Sequence, residues 1–406
     1  MIPPRVVITG VSVMTSIGSG WRSFWPNVLD GVCGIASVSS FETANYRVHR
    51  GGEITNFDAK EHVTKQDSNG MGRTSQLAIA AAGLAIEDSG INLQKMRPER
   101  VGVCVGTTSG EAPVVERFND HLLGEKAGDA NAQFVFQYPC HIIAVHIARE
   151  FGFCGKNLVI PAACAAGNYA IAHACDVLRS GRADAMLAGG ADAFSRITYT
   201  GFARLGAISP DLCRPFDKYR RGMIPGEGAA ILVLETHERA TQRGAQIYAE
   251  VAGYGLTCDA HHMTAAHPDG EGAARAMQQA LRNSRLNYED VDYISAHGTG
   301  TKLSDVIETK AVKSVFREAA YRTPISSIKS MIGHTMGAAS AIEAATCALA
   351  IKHNRIPPTI NWECPDPDCD LDYVTSGARE RIVNVAMNNA YAFGGNNASV
   401  IFKRAS

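Results

Sequence analysis

Three stretches from the first half of the chain return, altered, in the second. "RVVITGVSV" at residues 5–13 is echoed by "AEVAGYGLT" at 249–257, and "VGVCVGTTSG" at 101–110 by "VDYISAHGTG" at 291–300. "GEGAAILVLE" and "GGNNASVIFK" then close the two halves with similar strand-like runs. An echo kept in the same order predicts a duplicated α/β unit related by a pseudo-twofold. Helical stretches at 75–89, 271–283 and 337–352 alternate with the strands, which argues layers of both kinds. At 406 residues the chain exceeds one ordinary core. No linker of Pro, Ser or charged residues divides it, so the halves must pack together. We read residues 1–248 as the first half and 249–406 as the second.

Composition excludes several classes. With 46% hydrophobic and 19% charged residues the chain reads as globular. A net charge of −1 gives no signal for nucleic acid. The apolar run Leu77 to Ile86 is too short to span a bilayer, and "MIPPRVVITGVSV" reads as an opening strand rather than a signal peptide. Eleven scattered cysteines, an odd number, fit reduced thiols in a cytoplasmic enzyme. Cys258, His261, His262 and His267 form one cluster of potential ligands, and Cys364 and Cys369 another. Neither has metal-binding spacing, so no metal is expected.

Within "LVIPAACAAGNYAIAHACDVLRSG" a short β-favouring run gives way to residues spaced as on a helix. Ile171, Ala174, Cys175 and Leu178 recur at i, i+3, i+4 and i+7. Cys164 therefore stands at a strand-to-helix turn, where the helix dipole favours an anion and would lower a thiol's pKa. Small neighbours on both sides leave room for a substrate.

Two histidines also sit at element ends beside glycines. His297 follows the strand "VDYIS", and His334 precedes an Ala-rich helix. Asp305 and Glu308 follow the first; Lys329 and Glu343 flank the second. Buried together, such charges would fix histidine tautomers through hydrogen bonds. A cysteine nucleophile with two neutral imidazoles suits acyl transfer onto the thiol, then donation of Nε2–H bonds to a developing enolate. The implied chemistry is carbon–carbon bond formation driven by decarboxylation of a malonyl thioester.

"PAACAAGNYAI", "GRADAMLAGGADA", "RPFDKYRRGMIPGEGAAILVLE", "DAHHMTA", "HGTGTKLSD", "IKSMIGHTMGAAS" and "NNAYAFGGNNAS" follow one another in the order of a known family. The chain resembles the β-ketoacyl-acyl-carrier-protein synthases of the elongating Cys-His-His class, within the thiolase superfamily. The resemblance implies a five-layer αβαβα fold, a dimer, and no tightly bound cofactor, the substrate arriving on a carrier protein's phosphopantetheine arm. It implies that Cys164 is acylated and that His297 and His334 bind the malonyl carbonyl, supported by Lys329 and Glu343. It assigns the oxyanion hole to the N–H groups of Cys164 and Phe393, the pantetheine arm to Thr299 and Thr301, and a gate to Phe393.

Departures from the family pattern bear on pathway and partner. Ser16 stands where proline is usual, and Ala392 and Asn396 replace the common Gly and Thr. Ala392 would restrict the gate if its φ must be positive. "TKQDSNGMGRT" thins the usual basic cluster to Lys65 and Arg73. That moves carrier docking to Arg204, Arg214, Lys218, Arg220 and Arg221, unless the arginines make internal salt bridges. These features lean toward type II polyketide or polyene pathways over fatty-acid synthesis. The partner in the dimer is either a second copy or a chain-length-factor-like subunit. A non-catalytic chain-length factor or a malonyl-carrier decarboxylase would share the fold, but each normally lacks the cysteine. A degradative thiolase would need a second cysteine within "AYAFGGNNA".

Overall fold

The computed structural model describes residues 3–124 and 134–405. An 11-stranded sheet runs through the molecule. Its first-half strands are β1 (Val6–Thr15), β2 (Val101–Gly106), β3 (Asn157–Ile160), β4 (Ala185–Asp192) and β5 (Gly228–Thr236). The second half supplies β6 (Ala249–Cys258), β7 (Tyr293–Ser295), β8 (Ile325–Ser326), β9 (Val385–Tyr391) and β10 (Asn396–Lys403). The strand order is β8-β7-β9-β10-β6-β1-β5-β4-β2-β3, and Gly18–Ser19 pairs back onto β1. Counted within its own half, each set of five reads 3-2-4-5-1. The halves meet at β1 and β6, joined by two pairs, Val7↔Glu250 and Ile8↔Ala249.

The strands are continuously apolar because both faces are covered. Along β5, Ala230, Leu232 and Leu234 point into one core while Ala229, Ile231 and Val233 point into another. Helices α1 (Arg73–Ser89) and α2 (Ile142–Phe151) cover the outer face of the first half. Helices α4 (Glu271–Ser284) and α5 (Lys302–Phe316) do the same for the second. Between the two sets of strands lie α3 (Ala166–Arg179) and α6 (Ala339–His353), which touch each other and strands from both halves. The result is the five-layer αβαβα arrangement of the thiolase-like fold.

Helix α6, "ASAIEAATCALAIKH", is buried along residues 339–351 on every side. Its six alanines let it fit between the two sets of strands, where adding methylenes would cost about 1–3 kcal/mol of strain. Both inner helices begin at the same end of the molecule, and the site lies there. All eleven cysteines are free. Among the described residues no helix is long and apolar enough to cross a membrane.

Candidate active site

Cys164 and His334 occupy matching places in the two halves. Each lies between the third strand and the inner helix: β3 leads through the turn Ala163–Ala165 into α3, and β8 leads through Met336–Ala338 into α6. Both turns carry a non-glycine residue at positive φ, Ala163 at 46° and Met336 at 53°. Such conformations cost about 1–3 kcal/mol each and persist only where surroundings enforce them.

What enforces them is a floor without side chains. Gly106 and Gly190 are partners across the β2–β4 ladder. A Cβ on Gly106 would lie 2.2 Å from the Ala166 carbonyl carbon, and one on Gly190 would lie 2.3 Å from the Gly337 oxygen. The helix that follows Cys164 and the His334 turn therefore rest directly on neighbouring strand backbones.

The geometry brings Cys164, His297 and His334 together in one cavity, with Sγ and one nitrogen of each ring within 4.8 Å of one another. His334 Nε2 lies 3.0 Å from Cys164 Sγ. On the far side of that ring, the Met336 N–H donates to Nδ1 at 3.2 Å. With Nδ1 accepting, the neutral ring carries its proton on Nε2, aimed at the sulfur. The two imidazole centroids are 5.6 Å apart at 84°. Burial, with the positive charge of Lys329 next in size, holds both histidines well below the ordinary histidine range; His334 adds to the effect on His297. Both are neutral hydrogen-bond donors.

Three expectations need correction. Burial pushes the Cys164 thiol up to about 12 against an opposing pull from Lys329, so the resting residue is a neutral thiol and not the stabilised thiolate of the helix-dipole argument. The carboxylates beside His297 do not touch its ring. Glu308 accepts from the His297 N–H at 2.9 Å and the Gly298 N–H at 2.8 Å, and Asp305 accepts from Phe216 and Gly300. They set the loop's path, while His297 Nδ1 has no partner among the described residues. Ala392, finally, has φ −125°, an ordinary extended value; the positive angles fall on Gly394 and Gly395, so alanine restrains nothing there.

Lys329 and Glu343 form an ion pair, each about 1% exposed. Burial pushes the Glu343 carboxyl up to about 7 against the lysine's pull. Neither residue bonds an imidazole; Lys329 acts on both rings through its field. Thr299 and Thr301 line the same cavity with their hydroxyl oxygens 3.1 Å apart. Phe393 lies at its mouth, 39% exposed, its ring 5.5 Å from that of Phe202. Cys164 stands in the turn that leads into α3, where N–H groups lack a carbonyl one turn earlier, and Phe393 opens the tight turn Phe393–Gly395 between β9 and β10.

Of the basic residues expected to greet a partner, Arg204, Lys218 and Arg221 are exposed. Arg220 is not: it is 3% exposed and held by Asp366, with Asp305 at 3.7 Å. Arg214 pairs with Glu363 at 2.9 Å, and Arg73 with Glu227 at 2.8 Å. The internal salt-bridge alternative is therefore the right one for Arg214 and Arg220.

Sequence reasoning missed Asp192, Asn168, Ser340 and Asn388. The last three form a buried bridge in which Asn388 Nδ2 donates to Asn168 Oδ1 and to the Ser340 carbonyl, tying the starts of α3 and α6 together. Asp192 carried a legible signal: a carboxylate ending the apolar, glycine-containing strand "AMLAGGAD".

The beta-ketoacyl synthase N-terminal domain family matches residues 4–240, and the corresponding C-terminal domain family matches residues 248–363. The chain is 39% identical over 406 residues to a 3-oxoacyl-[acyl-carrier-protein] synthase 2 of Staphylococcus aureus, covering 98% of each. Among solved structures, the ishigamide ketosynthase/chain length factor aligns over 100% of both chains at 40% identity and a TM-score of 0.96. A type II polyketide synthase acyl-carrier protein in complex with its ketosynthase bound to the hexaketide aligns at 32% identity and a TM-score of 0.91, over 99% of this chain and 100% of that one.

Proposed function

This chain belongs to the beta-ketoacyl synthase family, acyltransferases that form beta-ketoacyl-acyl-carrier protein by condensation, and from that premise we propose how its own residues divide the work. The reaction runs in two halves. In the first, Cys164 Sγ attacks an acyl thioester; the acyl–sulfur bond to the carrier breaks, and the cysteine's proton ends on the departing pantetheine thiol. In the second, malonyl-carrier thioester binds with its carbonyl oxygen facing His297 and His334. Loss of carbon dioxide leaves an enolate whose negative oxygen accepts their Nε2–H bonds. Its carbon then attacks the Cys164 thioester carbonyl, and the tetrahedral oxyanion sits against the N–H groups of Cys164 and Phe393. Collapse of this intermediate breaks the acyl–sulfur bond, frees the beta-ketoacyl-carrier product, and leaves a Cys164 thiolate that regains its proton from solvent.

One observation carries this reading. The Met336 N–H occupies His334 Nδ1, so this imidazole faces the cavity as a donor and not as a base. Neutral donors stabilise an enolate without abstracting a proton, which decarboxylation does not require. Lys329 and Glu343 support the pair electrostatically, and Thr299 and Thr301 hold the phosphopantetheine arm. Phe393 gates acyl entry.

The two halves act as units over residues 1–248 and 249–406. The pathway is a type II polyketide or polyene one, supported by the full-length likeness to a ketosynthase/chain length factor, and the partner is a chain-length-factor-like subunit or a second copy. An acidic carrier protein docks at Arg204, Lys218 and Arg221, whose charge steers it. The test combines intact-mass detection of acyl-Cys164 with turnover. Charge reversal at Arg204 and Lys218 should raise KM for the acyl-carrier substrate while leaving acylation by a small pantetheine thioester unchanged. Unchanged KM would exclude this docking face, and absence of the thioester would exclude the cysteine assignment.

A further inference from the structure

Asp192 ends β4 in the first half and is 1% exposed. Its carboxylate takes four hydrogen bonds, every one from a donor. Oδ1 accepts from the Thr107 hydroxyl at 2.8 Å and the Ser109 N–H at 3.0 Å. Oδ2 accepts from the Thr108 N–H at 2.7 Å and the Gly337 N–H at 2.6 Å. Three of the four lie in the loop that follows β2; the fourth lies in the other half, within the turn that carries His334. No group in the reaction as derived above needs a carboxylate here, and burying one is expensive unless its bonds matter. Burial raises its pKa to about 6 against those four donors.

Gly337 is one residue from Met336, whose N–H fixes the His334 tautomer. Met336 is held at φ 53°, a conformation that methionine does not choose on its own. The Gly337 N–H on Asp192 is the nearest charged anchor along that strained backbone. A Cβ at Gly337 would lie 2.6 Å from Asp192 Oδ2 and 2.5 Å from Thr107 Cα, so the turn is seated against this carboxylate without intervening atoms.

We propose that Asp192 is a positioning residue for the condensation: by anchoring Gly337 it holds the Met336 N–H on His334 Nδ1 and so keeps the Nε2–H directed at the reacting carbonyl. The proposal rests on the reading of His334 as a donor to the malonyl carbonyl. It gives the first half, which carries the nucleophile, direct control over the tautomer of a histidine in the second.

The first test needs no variant. In wild-type protein labelled with ¹⁵N-histidine, the His334 ring should show an unprotonated Nδ1 and a protonated Nε2; an Nδ1–H ring overturns the proposal. Asp192→Ala should scramble that pattern and lower malonyl decarboxylation on the order of 10²-fold, with a smaller effect on Cys164 acylation. Asp192→Asn can turn its amide oxygen to Gly337, and should restore the ring signature with decarboxylation within about tenfold of wild type. Combined with His334→Ala, Asp192→Ala should cause no further loss; combined with His297→Ala, the losses should multiply. Equal losses of acylation and decarboxylation in Asp192→Ala, with the His334 signals unmoved, would reduce Asp192 to a structural role and refute the proposal. Normal decarboxylation by His334→Ala would instead refute the donor reading, whatever Asp192 does to the ring.

Discussion

The Cys164 turn and the His334 turn are the same piece of architecture used twice. Each joins a third strand to an inner helix, each holds a non-glycine residue at positive φ, and each is gripped from the opposite half. Asp192 on β4 reaches across to Gly337, while Asn388 on β9 reaches across to Asn168 at the start of α3. The difference is in what the turn presents. The first offers a sulfur, buried and neutral at rest; the second offers an N–H whose direction is set by the backbone two residues on. Duplication supplied two equivalent mounts facing one cavity, and divergence put a cysteine on one and a histidine on the other. His297 stands on a different element, the loop after β7 that corresponds to the Thr107–Ser109 loop after β2, and that loop is shaped by carboxyl groups in its own following helix.

The comparison breaks hardest at the sulfur. Cys164→Ala should abolish both the acyl-enzyme mass and condensation, while malonyl decarboxylation persists, because the donors are untouched. Acyl mass retained on the variant would remove the first turn from the chemistry. His334→Ala should give the complementary result, a fall in decarboxylation on the order of 10²–10³ with acylation affected less. Equal losses in both half-reactions would mean that the two mounts are not functionally separate.

A smaller effect separates the two histidine environments. Burial raises the Glu308 carboxyl from an ordinary 4.5 to about 8. Across that interval the folded protein keeps a proton that the unfolded chain has released. The group's stabilisation is thus complete below its unfolded value and is lost as pH rises through its folded one. From about pH 5 to about pH 8, Glu308→Gln should lose less melting temperature than wild type; parallel curves would count against the raised pKa. The least change belongs to the gate. Ala392→Gly should lower stability by about 0.5–1 kcal/mol in denaturant titration and leave the acyl-loading rate unchanged, since the residue is already extended. A faster loading rate would restore alanine as a restraint.

Strand identities and the echo between halves were readable because buried strands are uniformly apolar and their glycine turns recur at corresponding places. The helix start at Cys164 was readable from the shift in periodicity. Helix α6 was visible only as an Ala-rich stretch, since a helix buried on all sides has no apolar stripe to detect. The convergence of Cys164, His297 and His334 on one cavity was legible because reactive side chains at element ends are unusual. Their electrostatics were not: the fate of the thiol, the loop-binding role of Glu308 and the withdrawal of Arg220 all depend on burial, which residue order does not specify. Asp192 was marked only by its place at the end of an apolar strand; its partners, the Thr107 hydroxyl and the N–H groups of Thr108, Ser109 and Gly337, come from two loops far apart in the chain.

The paired glycines Gly106 and Gly190 have a consequence for how this enzyme meets heat. Cys164's helix and the His334 turn stand on adjacent strands with nothing between them and the backbone, so the interval separating sulfur from imidazole is inherited from the inter-strand ladder, about 4.8 Å wide. A ladder has almost no compliance. Loops at the cavity mouth can soften on warming without altering that interval, and it changes only when the strands themselves part. Substrate access should therefore degrade gradually with temperature, whereas the reacting distance holds until the sheet melts and then vanishes at once.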